Sequence, residues 1–182
     1  MASSKTWVID PTHSEVLFKI KHLVISTVTG SFKKFSGEAK TDGDDFSGAK
    51  VNFTIDVSSI DTNQPQRDGH LQSGDFFEAE TYPEISFEST SFSKVDDENY
   101  AMAGNLTMKG VTKPVALNVE YGGSAGDGHG NIKHGFEVTG VVNRMEFGMT
   151  WNKLTDTGGL GLGENIKLIA NIQVAELVEE TA

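Results

Sequence analysis

Five histidines, His13, His22, His70, His129 and His134, are the residues of this chain best suited to acid–base work or metal ligation. No two of them stand at the i, i+4 spacing that sets paired imidazoles on one helix face for zinc. A metal site drawn from His13, His22 and His70 would need the fold to bring them together. His129 and His134 lie in or beside a Gly-rich turn and read as solvated. Ser14 follows His13, but adjacent strand residues point to opposite faces, so they form no nucleophile–base pair, and no G-x-S-x-G elbow occurs. The chain has no cysteine, which removes thiolate sites, cysteine nucleophiles and a disulfide framework. The run Gly158-Gly159-Leu160-Gly161-Leu162-Gly163 has the composition of a phosphate cradle. Such a cradle must open a helix whose N-terminus holds the phosphate, whereas Glu164 to Val174 alternate as a strand, so the run reads as a turn. The acidic turns at 42–45 and 96–98 lack the spacing and closing Glu of a calcium loop and read as solvated hairpin tips. Chemistry by side-chain motif is sparse, and no enzyme is indicated.

The elements that must carry these residues are strands. Val16, Phe18 and Ile20 alternate with Leu17, Lys19 and Lys21; Val51, Phe53, Ile55 and Val57 alternate with Asn52, Thr54 and Asp56. The same period of two runs through Val115 to Tyr121, through Phe136 and Val138, and through Ile166 to Val174, the pattern of strands with one dry face and one wet face. Turn signals such as Asp42-Gly43, Asp96-Asp97-Glu98-Asn99, Lys109-Gly110 and the Gly-rich 122–128 separate them. Strands are expected at 13–22, 28–41, 47–57, 83–95, 99–109, 112–122, 132–146 and 162–177, with a short opening strand at 5–9. Sequential antiparallel strands joined by tight turns form a meander, and about eight can close into a barrel. Asp61 to Gln72 breaks the alternation. Asn63 as N-cap, Pro65 in the first turn and Gln66 as a capping-box partner predict a short helix over 63–72, followed by the apolar pair Phe76-Phe77. A second helical turn is expected at Leu23–Thr27.

Composition sets the limits. The chain has 182 residues, enough for one domain spanning 1–182. Its net charge of −11 disfavours a nucleic-acid footprint or an anionic membrane surface. No apolar run reaches the length of a membrane span, and the opening Met1-Ala2-Ser3-Ser4-Lys5 carries no signal-peptide pattern, so the sequence as written reads as cytoplasmic. The 20 glycines suit turns between strands. One inward face rich in Phe, Val, Ile and Leu admits two readings of comparable weight, a packed core or an apolar cavity.

Specific blocks weigh on that choice. Trp7-Val8-Ile9-Asp10-Pro11-Thr12-His13-Ser14-Glu15-Val16-Leu17-Phe18 resembles the opening of the YceI family of lipocalin-like, polyisoprenoid-binding proteins. So do Ser58-Ser59-Ile60-Asp61-Thr62, the long Arg67-Asp68-Gly69-His70-Leu71-Gln72-Ser73-Gly74-Asp75-Phe76-Phe77 block, Tyr82-Pro83-Glu84-Ile85-Ser86-Phe87, Gly110-Val111-Thr112-Lys113-Pro114-Val115 and Arg144-Met145-Glu146-Phe147-Gly148. Glu146 stands where the family pattern has Asp. The resemblance covers residues 6 to about 176. It implies an all-β protein, an extended eight-stranded antiparallel lipocalin-like barrel with a short capping helix. The interior would hold a long isoprenoid, such as a polyprenyl compound or isoprenoid quinone, with no cofactor required. The protein would act as a carrier, store or sequestering agent, and the wider family suggests a homodimer.

On that reading the candidate lining is Phe18 and Ile20 from the first long strand, Phe53 and Ile55 from the third, and Phe76 and Phe77 beyond the helix. Ile85, Phe87, Leu106, Leu117, Phe136, Val138 and Phe147 complete it. For each of these, ordinary packing is the competing explanation. Arg67, Asp68 and His70 either meet a polar or diphosphate head group or tie the helix to the barrel. His22, Lys113 and Arg144 are further head-group candidates. Two other functions stay open: an enzyme acting on a lipid-like substrate through His22 or His70, and a structural, stress-associated barrel with a filled interior.

Overall fold

A computed structural model describes residues 4–22, 25–43, 45–152 and 161–177. Eleven strands lie in one antiparallel sheet that closes on itself through pairing of its first and last strands. Three pairs of these segments are bent halves of single staves, so the closed wall counts eight staves. The first is β1 (Ser4–Ile9) and β2 (Glu15–His22), joined through a 3-10 turn at Pro11–His13. The second is β3 (Ser26–Phe32) and β4 (Phe35–Asp42), and the third β5 (Lys50–Asp56) and the two-residue β6 (Ile60–Asp61). Long strands complete the ring: β7 (Glu84–Lys94), β8 (Asn99–Met108), β9 (Val111–Gly126), β10 (Ile132–Asn143) and β11 (Leu162–Glu176). β11 pairs with β10 along its length, with β2 from Leu162 to Asn171, and with β1 from Val174 to Glu176.

The strand expected over 28–41 is therefore two strands. Lys33 leaves the ladder, its N–H donating to Ser59 O at 3.1 Å, so β3 pairs with β2 and β6 while β4 pairs with β1 and β5. The wall bends here because alternation continues through a break in pairing, which periodicity cannot register. The helical turn expected at Leu23–Thr27 is also corrected: Ser26 and Thr27 belong to β3, and residues 23–24 lie outside the described ones. Residues 13 and 14 precede β2, and 144–146 form part of a 3-10 turn at Arg144–Phe147, not the end of β10.

The helix α1 spans Pro65–Leu71 and is capped by Gln64, whose side-chain oxygen accepts from Gln66 N and Arg67 N. Asn63, expected as the cap, instead takes a left-handed φ of 65° that turns the chain into the helix. The segment from Thr62 to Pro83 lies over the end of the barrel where β6 and β7 part. Phe77 packs edge-on to Phe32 there, and Lys109 Nζ donates to Gly74 O at 2.6 Å. The opposite end is bounded by the β4–β5, β7–β8 and β9–β10 connections.

Inside, large side chains face small ones on the neighbouring strand. Phe18 is opposite Gly30, and a Cβ at Gly30 would collide with the Phe18 ring and lie 2.9 Å from Thr62 Cγ2. At the corner between β1 and β2, Asp10 accepts from Thr12 Oγ1 at 2.7 Å and from Lys133 Nζ of β10 at 3.1 Å, with His13 Nδ1 at 2.8 Å. The Thr12 hydrogen bond first, then His13 and Lys133, hold its carboxyl well below the usual carboxylate range. A carboxyl depressed in the folded state stabilises fully above its unfolded pKa of about 3.9 and loses that contribution as pH falls through the folded value. Asp10→Asn is expected to lower the urea midpoint at pH 7 and to have a shrinking effect as pH drops below about 4. Paired urea titrations across that range check it.

Candidate functional site

The barrel encloses a cavity of about 400 Å³. Its wall is apolar because a closed antiparallel sheet turns alternate residues of every stave inward. Phe18 and Ile20 reach it from β2, Phe53 and Ile55 from β5, Ile85 and Phe87 from β7, and Leu106 from β8. Leu117 on β9, Phe136 and Val138 on β10, and Phe76 and Phe77 beneath α1 also face it. Phe147 does not: it is buried in the 3-10 turn after β10, away from the cavity.

Polar groups gather at the end under α1. His22, exposed at the tip of β2, and Arg67 and His70 on α1 line the cavity at its mouth. Arg67 donates from Nε to Thr62 Oγ1 at 2.8 Å and from one terminal nitrogen to Thr62 O at 2.6 Å. Thr62 Oγ1 in turn donates to Asp68 Oδ1 at 2.5 Å, and Thr62 N to the same oxygen at 2.9 Å. The Arg67–Asp68 pair thus ties the helix to the buried Thr62, and Asp68 does not touch the cavity. His70 Nε2 lies 2.8 Å from Asp75 Oδ2, while its ring meets Phe76 and Trp151 edge to face at 5.1 and 4.7 Å. Lys113 is exposed and off the cavity wall.

Arg144 reaches the cavity wall but is only 1% exposed. Its guanidinium donates to Met149 O, Trp151 O and Gly163 O at 2.6, 2.7 and 2.8 Å. Its hydrogen-bonding capacity is thereby largely committed to backbone. Burial pulls its pKa below the usual value, Glu164 opposing, yet a guanidinium remains a cation. Within 4.0 Å it has no carboxylate among the described residues. A buried cation stands behind the mouth, with Glu164 as its electrostatic counterpart.

Several wall residues escaped the sequence reading. Met102 and Met108 on β8 continue the period of two through Leu106 and were legible there. Phe46, Met149 and Trp151 lie outside any strand, where no alternation marks them. Among the described residues Glu38 is the single carboxylate on the wall, 3.9 Å from Lys40 Nζ. His134 is not solvated as its Gly-rich surroundings predicted. It is half-buried behind Phe46, stacked on Tyr121, with Nδ1 2.7 Å from the Tyr121 hydroxyl. Among the described residues no group of three His, Asp or Glu is placed to hold a metal, and no helix is long and apolar enough to cross a membrane.

Residues 7–174 match the model of the YceI-like domain. The chain belongs to the YceI-like family. A UPF0312 protein of Staphylococcus aureus strain bovine RF122 is 40% identical over 165 residues, 90% of this chain and 94% of that one. Among solved YceI-like structures, that of the Campylobacter jejuni YceI protein superposes with a TM-score of 0.75 at 36% identity, covering 88% of this chain and 91% of the other. BcnA of Burkholderia cenocepacia gives a TM-score of 0.77 at 25% identity, over 91% and 98%. A polyisoprenoid binding domain of Saccharophagus degradans gives 0.66 at 15% identity, over 94% and 98%, a likeness of fold.

Because the buried Arg144 ties the 3-10 turn to the carbonyls of Met149, Trp151 and Gly163, Arg144→Ala is expected to cost on the order of 3 kcal/mol or more. Arg144→Lys should lose most of the same stability, since an ammonium lacks the planar fork of donors. Guanidinium unfolding of both variants measures this.

Proposed function

We propose that the chain binds a long-chain isoprenoid or related amphiphile, such as a polyprenyl compound or isoprenoid quinone, inside the barrel, as a carrier, store or sequestering protein. The observation that carries this reading is the shape and polarity of the cavity. It is an apolar space open at a mouth, with its basic groups, Arg67, His22, His70 and the buried Arg144, at that end. Pockets for small molecules run to about 300–1,000 Å³ and are lined in this manner. The apolar chain would fill the wall formed by Phe18, Ile20, Phe53, Ile55, Phe76, Phe77, Ile85, Phe87, Leu106, Leu117, Phe136 and Val138. Each Å² of apolar surface removed from water contributes about 25 cal/mol, set against the ordering of chain and ligand. The Saccharophagus domain that shares the fold is described as polyisoprenoid binding, which agrees with the reading without carrying it at 15% identity.

The head group would lie at the mouth, where positive groups stand in a protein of net charge −11. Attraction to an electron-rich or anionic head would come from the Arg67 guanidinium at the mouth and, at longer range, from the Arg144 charge in the low-dielectric wall behind it.

Protein purified without detergent should carry an extractable lipid visible by mass spectrometry, and emptied protein should take up long prenyl compounds saturably. Absence of both would sink the proposal. One feature favours a second reading, an enzyme of the same ligand: the His70–Asp75 pair has the geometry of a base and its orienting carboxylate. Conversion of the bound compound to a new mass, lost in His70→Ala while uptake persists, would select it.

A further inference from the structure

We propose that Phe46 closes the far end of the cavity as a plug and sets the longest chain the barrel accepts. This rests on the reading of the cavity as a site for an apolar chain.

The side walls of the cavity are strand ladders, fixed by backbone hydrogen bonds around the ring. The end away from α1 is closed differently, by a side chain from the connection between β4 and β5. Phe46 is buried while Asp45 and Ser47 on either side of it are exposed. Such an inversion in a loop needs local anchoring. Asp45 Oδ1 accepts from Ser47 N at 2.9 Å, Ala49 N donates back to Phe46 O at 3.0 Å, and Gly48 N donates to Phe92 O of β7 at 2.6 Å. Gly48 adopts a φ of 81° that only glycine takes without strain. The loop is built to hold its one aromatic residue inside the barrel, beside the buried Ala49.

Phe46 lies between the cavity and a second layer. On the cavity side it forms wall next to Phe136, edge to face at 5.0 Å. On the other side it packs against Trp7 at 5.1 Å and His134 at 5.3 Å. That layer is held by polar bonds, Trp7 Nε1 to Thr41 Oγ1 at 2.9 Å and Tyr121 hydroxyl to His134 Nδ1 at 2.7 Å. None of Trp7, Tyr121 and His134 touches the cavity. Removing the Phe46 ring would therefore lengthen the cavity by the depth of that ring, down to the polar layer, without widening it. A chain entering past α1 ends its run against Phe46, and any further carbon must stay at the mouth in water.

The experiment is a calorimetric titration of the emptied full-length protein with a homologous series of all-trans prenyl alcohols, from farnesol upward. Affinity of the wild type should rise with each isoprene unit and then level at a break point. In Phe46→Ala the break should move to a longer alcohol, with a gain of about tenfold or more for the first alcohol beyond the wild-type break, because its extra carbons become buried. Phe46→Leu, a milder change that keeps most of the loop packing, should give a smaller shift in the same direction. Phe53→Ala, on the side wall, should change affinity and leave the break in place. A break that stays put in both Phe46 variants, with folding verified by circular dichroism, overturns the plug. So does an equal shift in Phe53→Ala. If the wild type takes up no prenyl alcohol, the ligand reading falls and the plug with it, whereas uptake with an unmoved break overturns the plug alone.

Discussion

The structure depends on β11 pairing with both halves of the first stave. A strand of 15 residues is long enough to run the height of the wall, meeting β2 near the mouth and β1 at the far end. That closure removes the open edges a sheet would otherwise expose and turns every inward residue toward the others. Without it, the row of Phe, Ile, Leu and Val would be one face of an open sheet needing another layer to cover it.

Closure alone would give a packed core as readily as a cavity. The difference lies in how much side-chain volume reaches the axis. Several large inward residues lie across small neighbours: Phe18 over Gly30, Phe87 over Gly104, Leu117 over Gly140. Large side chains thereby flatten along the wall and leave the axis open. The ends are then closed by residues that no strand carries, α1 with Phe76 and Trp151 at one and Phe46 at the other. The two ends differ in polarity. One is basic and bears the exposed His22 and Arg67, while the other is an aromatic layer bonded through Trp7 and His134.

The buried Arg144 has a double consequence. Its hydrogen bonds to Met149, Trp151 and Gly163 hold together the chain on both sides of the mouth. Its buried charge stands with that of Arg67 at the same end of a cavity whose wall is otherwise largely apolar. A residue placed by folding demands thus bears on what the mouth attracts. Arg67 shows the same economy: two of its nitrogens secure Thr62 and the helix, while the side chain still borders the cavity.

Alternation of residues such as Val51 to Val57 and Ile166 to Val174 determined by itself that the protein is a meander of half-wet strands, because a pleated strand repeats every two residues whatever its surroundings. The Arg67 to Phe77 block and its companions carried the family resemblance, and with it the eight-stranded barrel and the cavity-facing Phe, Ile and Leu. Tertiary structure decided the rest. Lys33 breaks a stave where alternation runs on, since only the partner strands tell one strand from two. Asp68 and Lys113 turn away from the cavity and Arg144 spends its donors on carbonyls, because a side chain's partners come from segments remote in sequence. Phe46 and Trp151 reach the cavity from loops, and His134 leaves solvent for an aromatic layer, because loop residues have no period from which their facing can be read. Whether the inward row packs or encloses a space was likewise settled by the closed ring and its glycines, a matter of volume in three dimensions.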